Sequence, residues 1–412
     1  MADPRNDPVD ADAGLVSPAR KGALLGAMFL MATSAIGPGF ITQTTVFTAQ
    51  LGAAFAFAIV VSIVVDIAVQ LNVWRVIGVS GMRAQDLANQ VIPGFGYLLA
   101  ALVVFGGLVF NIGNIGGTAL GANAMLGADA KIGGAISALI AIAIFLSKRA
   151  GVAMDRIVVV LGLLMIVMVS YAAVATHPPY GEALRQTVLP DKVSFLIITT
   201  LIGGTVGGYI TYAGAHRIVD SGITGPQNIR QITRGSVIGI IVTGVMRGLL
   251  FLAILGVVVG GVQLAGVENP PATAFKAALG EVGLRVFGVI LWAASITSVI
   301  GASYTSVSFL TTFHTAIARY RQWVVVAFIL VSSAIYLSLE QAPATLLVLA
   351  GALNGLILPV GFGLLIWVAL RRRDLLKGYE YPKWLAYLGL AVWLLTLYLG
   401  WESLGGIADL WT

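Results

Sequence analysis

The sequence predicts an all-α, polytopic membrane protein, on three observations. Of 412 residues, 58% are hydrophobic and only 10% charged, against roughly 25% charge in an ordinary soluble domain. Mean hydropathy is +0.95, and apolar runs of about 20 residues, the length that crosses a bilayer, recur from Lys21 almost to Thr412. The 50 glycines would weaken helices in water, whereas in membranes small residues let helices approach closely and mark where spans break. This composition excludes a soluble globular enzyme. The absence of Cys excludes disulfides, thiolate metal sites and thiol nucleophiles.

Residues 1–19 hold three Pro and four Asp without apolar periodicity and read as a disordered cytoplasmic tail. They lack the basic start and short apolar stretch of a signal peptide, so the long apolar stretch from Ala23 is the first span. Punctuation by Pro, Gly and charge clusters gives about eleven spans: 21–47, 50–77, 94–125, 131–147, 154–176, 193–218, 235–262, 283–312, 322–339, 343–370 and 383–402. Lys148 and Arg149 mark the turn between the fourth and fifth. The domain organisation expected is one transmembrane unit over 20–412, with repeat one at about 21–176, repeat two at about 193–370 and an extra helix at about 383–402.

Charge supplies a separate check, because cytoplasmic loops collect Lys and Arg. With the amino terminus cytoplasmic, eighteen of the 24 basic residues fall in inside segments, Arg217 among them, and Arg247 lies within a span. This places the chain in the cell inner (plasma) membrane, with its carboxyl terminus outside. The net charge of +6 then reflects topology and anionic inner-leaflet lipids rather than nucleic acid.

Two spans are interrupted. The first carries Gly37-Pro38-Gly39-Phe40-Ile41-Thr42-Gln43 at its middle; Pro removes a backbone donor and Gly disfavours helix, so the helix opens there. The sixth carries Gly203-Gly204-Thr205-Val206-Gly207-Gly208-Tyr209-Ile210-Thr211. Spans one and six begin two five-span halves, and breaks at matching positions of inverted halves point to a secondary-transporter binding site. Irregular backbone at membrane depth lines protein or a cavity. The substrate site is therefore expected between Gly37–Thr42 and Gly204–Thr211, with no charged side chain in it.

Two ionisable groups remain at mid-span, Asp66 and Arg247. Such groups are costly and become functional candidates or pairs: either a bridge that fixes helix packing, or a proton-coupling carboxylate and an anion partner. His216 and His314 read as satisfied interfacial residues. The hydroxyl-rich run 295–312 hydrogen-bonds across helices, and Ser303 or Ser306 could complete a Na⁺ site. No nucleotide-binding loop or metalloprotease motif is present, so neither ATP-driven transport by this chain alone nor enzyme activity is expected. Nothing in the sequence calls for a cofactor.

At the breaks the chain resembles the NRAMP family of proton-coupled divalent-metal transporters, over about Ala27 to Val360. The resemblance includes Pro38-Gly39, the Gln70 to Arg75 end of span two, Asp86-Leu87-Ala88, Gly117 to Asn123, Gly203-Gly204-Thr205-Val206 and Leu358-Pro359. It implies a LeuT-type 5+5 inverted-repeat fold with broken helices 1 and 6. The family's Asp-Pro-Gly-Asn, whose Asp and Asn bind the metal, reads Gly37 to Phe40 here. Its Met-Pro-His falls on Gly207, Gly208 and Tyr209, a second His falls on Gly214, and acidic residues of its proton path fall on Asn111 and Asn114.

Each anionic, soft or protonatable family side chain is thus missing at its own position. Mg²⁺ or Mn²⁺ sites normally use at least one carboxylate, whereas Thr42, Gln43, Thr205, Thr211 and open carbonyls supply oxygens without charge. Half-helix amino termini suit a substrate carboxylate. Gly37, Gly207 and Gly208 in place of bulky ligands leave volume, and Phe40 and Tyr209 offer apolar walls. The expected substrate is a small organic acid or other polar organic solute, moved by alternating access with H⁺ or Na⁺. A divalent cation, Mg²⁺ or Mn²⁺, is the alternative, and a non-transporting sensor or structural relative the second.

Overall fold

The computed structural model describes residues 37–411 except 312, with the backbone alone at 148, 150, 155 and 411. The expected tail at 1–19 and the first half of span one lie outside the described residues. The chain runs through α1 (Pro38–Leu51), α2 (Phe55–Ser80), α3 (Ala84–Val91), α4 (Phe95–Leu126), α5 (Ala130–Leu146) and α6 (Lys148–Ala175). It continues with α7 (Tyr180–Gln186), α8 (Phe195–Thr205), α9 (Ile210–Asp220), α10 (Ile229–Val259) and α11 (Pro270–Leu310). The last are α12 (Thr315–Arg319), α13 (Arg321–Ser338), α14 (Pro343–Arg371) and α15 (Lys383–Trp411). No strand occurs among the described residues.

Nine stretches among the described residues are long and apolar enough to span a bilayer, with α1 and α2 counted together as Pro38–Ser80 and α8 and α9 as Phe195–Asp220. The 17-residue α5 is a shorter apolar helix. Val64, Leu139, Val160, Val167, Val245, Tyr387 and Trp401 point outward, an apolar exterior that lipid rather than water would cover.

Local chemistry sets the ends. Gly37 caps α1 in extended conformation (φ −78°, ψ −173°) and Pro38 takes the first helical position, where its missing N–H costs nothing and its φ is preset. The chain turns from α1 to α2 through a 3₁₀ turn at Gly52–Ala54. The α2 helix stops at Gly81, whose left-handed φ of +69° lets its N–H reach Ile77 O. Asn269 caps α11 by accepting from Ala272 N at 3.2 Å, ahead of Pro270-Pro271. This helix starts before the expected span and is two pieces joined at Gly280 (φ +69°, ψ −167°).

The centre of the molecule is α4, packed against α11 and α14, with α5, α13 and α3 around it. Glycines make the contacts close. A Cβ at Gly121 would lie 2.5 Å from Trp292 N, and one at Gly288 would strike Met125 N, so α4 and α11 meet backbone to backbone. One turn earlier on the same face α4 meets α1, where a Cβ at Gly117 would collide with Pro38. In the same way α8 lies on α14, with Gly203 against the Gly351 carbonyl. These approaches carry both interrupted segments to the middle of the bundle.

Candidate functional site

Between α8 and α9 the backbone leaves the helix over 206–209. The break is held in place from outside: Gly208 N donates to Asn354 O of α14 at 2.9 Å. Gly207 and Gly208 are demanded by packing rather than by room for a ligand. A Cβ at Gly207 would strike the Gly203 carbonyl and one at Gly208 would strike Ile357, so these two positions do not leave the volume expected of them.

A cavity of about 50 Å³ lies where the two breaks meet, room for about three or four waters. Its walls are Gly37, Gly39 and Phe40 of the α1 start, and Gly204, Tyr209, Ala213, Gly214 and Arg217 of the broken sixth span. Phe110 and Asn114 of α4 and Ser298, Ala302 and Thr305 of α11 close it. The first-turn amides of α1 and of α9 have no acceptor within their own helices, and both amino-terminal dipole ends face this space. Tyr209 donates through its hydroxyl to Ala302 O (3.4 Å) and lies 6.2 Å from the Phe110 ring, centroid to centroid.

Arg217 corrects the expectation of an uncharged site. It belongs on the cavity wall, not only to the basic cytoplasmic set. The sequence carries a signal for this: Ile210, Gly214 and Arg217 repeat at i, i+4 and i+7, one helical face.

Of the residues singled out in the sequence, Gly37, Gly39, Phe40, Tyr209 and Asn114 come together at the cavity. Gln43 lies deeper, its Nε2 donating to Leu347 O at 3.1 Å and its Oε1 left without a partner. The hydroxyls of Thr42 and Thr211 are likewise buried and unpaired, while the Thr211 carbonyl accepts from Trp74 Nε1 at 3.1 Å. Asn111 ties α4 to α11 and α13, donating to Ser303 and Ser332, each at 3.0 Å. His216 Nε2 accepts from Ala84 N, and His314 Nδ1 caps α12 at Ala316 N.

Asp66 and Arg247 are 1% and 2% exposed and meet at Thr205, the last residue of α8. The Thr205 hydroxyl accepts from Arg247 Nη1 at 3.3 Å and also contacts the Asp66 carboxylate. The Arg247 guanidinium lies 4.6 Å from the centroid of the Phe40 ring, and Phe40 also lines the cavity. A charge at bilayer centre costs about 3 kcal/mol even on insertion scales. Opposite charges brought together around one hydroxyl offset much of that cost.

An all-helical membrane bundle in which the interrupted sixth span meets the start of α1 at a central cavity has the fold of the LeuT-type membrane transporters. The chain belongs to the natural resistance-associated macrophage protein-like family, which matches residues 28–404. It is 52% identical over 369 residues to the uncharacterized membrane protein YcsG of Bacillus subtilis (strain 168), covering 90% of this chain and 91% of that one. It is 50% identical over 370 residues to an uncharacterized membrane protein of Haemophilus influenzae, covering 90% and 92%.

Among solved structures, a mutant of the manganese transporter of Eremococcus coleocola superposes with TM-score 0.73 at 16% identity, over 96% of this chain and 89% of that one. MhsT in complex with L-phenylalanine gives 0.67 at 14% identity, over 92% and 98%.

Proposed function

We propose that this transporter carries a small organic acid, or a similar polar organic solute bearing a negative charge, by alternating access around its two interrupted helices. Arg217 on the cavity wall is the observation that carries this reading. With two helix amino termini beside the same space, the cavity has an arginine in its wall together with backbone donors. No carboxylate, imidazole or thioether is among the described residues that line it. That donor set matches a carboxylate, since Arg pairs with it through its fork of N–H groups. Phe40, Phe110 and Tyr209 would face the apolar part of the solute. H⁺ or Na⁺ would drive the cycle, and the eighteen inside basic residues support a cell inner membrane location with the amino terminus cytoplasmic.

Thermal unfolding of the purified protein tests the substrate class. A ligand that binds only the folded state stabilises it by about 2.7 kcal/mol at a hundred times its Kd. A rise in Tm is expected with at least one of acetate, L-lactate, succinate and L-glutamate. Stabilisation by micromolar Mn²⁺ or Mg²⁺, with none from the carboxylates, would overturn this reading in favour of a divalent cation.

A further inference from the structure

We propose that Asp66, with Thr205 and Arg247, forms a proton-binding site whose state is read at the cavity through Phe40. Asp66 Oδ1 and Arg247 Nε and Nη2 are fully buried polar atoms without hydrogen-bond partners. Static packing pairs such atoms, because leaving them bare is costly; a site that changes its proton content leaves different atoms paired in its two states. The cluster also touches both moving parts expected of the cycle. Thr205 is the last helical residue before the break, and the guanidinium stacks on Phe40, a wall of the cavity.

The surroundings isolate Asp66 as the titrating group. From α10 the charge that faces it is Arg247, and from α8 the polar group is Thr205. The α1 hydroxyls Thr44, Thr45 and Thr48 donate to their own helix carbonyls. On α9, Tyr212 donates to Leu358 O and His216 accepts from Ala84 N at the start of α3. Arg75, two and a half turns along α2, donates to Thr233. On α7, Glu182 and Arg185 pair with each other at the surface.

This inference rests on the transport reading for its consequence, though not for its test. If the solute is a monoanion, loading it with one proton on Asp66 leaves the net charge inside the membrane unchanged. Whatever charge the loaded half of the cycle moves, the empty half then moves back, and the coupling is electroneutral symport.

Infrared difference spectra of the purified full-length protein, acidic minus alkaline buffer, read the proton directly. The expected result is a protonated-carboxyl band that exchanges slowly in D₂O, shifts on ¹³C-Asp labelling, disappears in Asp66→Asn and persists in Asp66→Glu. The labelled wild-type protein answers even if Asp66→Asn fails to fold: a band insensitive to the label, or no band, overturns the site. An unaltered band in Asp66→Asn does the same. Phe40→Leu is expected to shift the midpoint of the band, and an unchanged midpoint overturns the link to the cavity. No solute is needed, so failure here leaves the organic-acid reading standing, and failure of the carboxylate panel leaves the proton site standing.

Discussion

Arg217 sits eight residues beyond Tyr209, about 12 Å along α9, yet it lines the cavity at the start of that helix. Side chains on a helix tilt toward its amino terminus, and the long arginine stem carries the charge back further. Loop counting treats a basic residue near a span end as an orientation signal, so that reach is invisible to it. Phe40 and Tyr209 were legible because they sit inside the Gly-rich interruptions themselves. Arg217→Gln keeps hydrogen-bonding capacity and removes the charge. A charge-assisted hydrogen bond is worth about 1.5–3 kcal/mol, so the variant is expected to weaken carboxylate binding by about 10- to 100-fold in ligand-dependent Tm shifts or calorimetry.

The interruptions are the most legible elements of the chain because Pro and Gly oppose helix wherever they cluster. The short helices α3, α7 and α12 and the kink at Gly280 escaped the same reading. An eight-residue, five-residue or mixed-polarity helix has no long apolar run, and a single glycine within a long span is ordinary in membranes. The glycines of α4 acquire meaning only from what they touch. At Gly121 a larger side chain would meet the Trp292 backbone, whereas at Gly162 in α6 nothing lies within 4 Å of an added Cβ. Gly121→Leu is expected to cost about 1–3 kcal/mol through overpacking and to lower Tm. Gly162→Leu, made alongside it, should show no such loss.

Over the whole molecule, charge is divided between a nearly neutral interior and paired surface groups. In the surface helix α7, side-chain hydrogen bonds from Arg185 and then Gln186 hold the Glu182 carboxyl down at about 2, against an ordinary 4.5. Because the folded value is depressed, its stabilisation is fully present above the ordinary value and is lost as pH falls from 4.5 toward 2. Glu182→Gln is expected to flatten that acid limb in a Tm-against-pH series while changing little at neutral pH, where an exposed pair is screened. The bilayer class was legible at this scale, since it follows from summed hydropathy; of about eleven spans expected, the described residues show nine stretches of spanning length, with α1 and α2 counted together and α5 shorter. The meeting of Asp66 with Arg247 was open to sequence reasoning only as a possible pair; that Thr205 joins them depends on where α8 stops.

The backbone contact between α4 and α11 at Gly121 and Gly288 bears on how such a molecule changes shape. Sliding between helices relies on side chains that can repack, and at these two positions the glycines place none between the two backbones. In the transport cycle proposed above, that pair is expected to stay fixed while the interrupted sixth span, held to α14 by the Gly208 to Asn354 hydrogen bond, moves against it. Each turnover would then remake that one hydrogen bond while leaving the seam of glycines undisturbed.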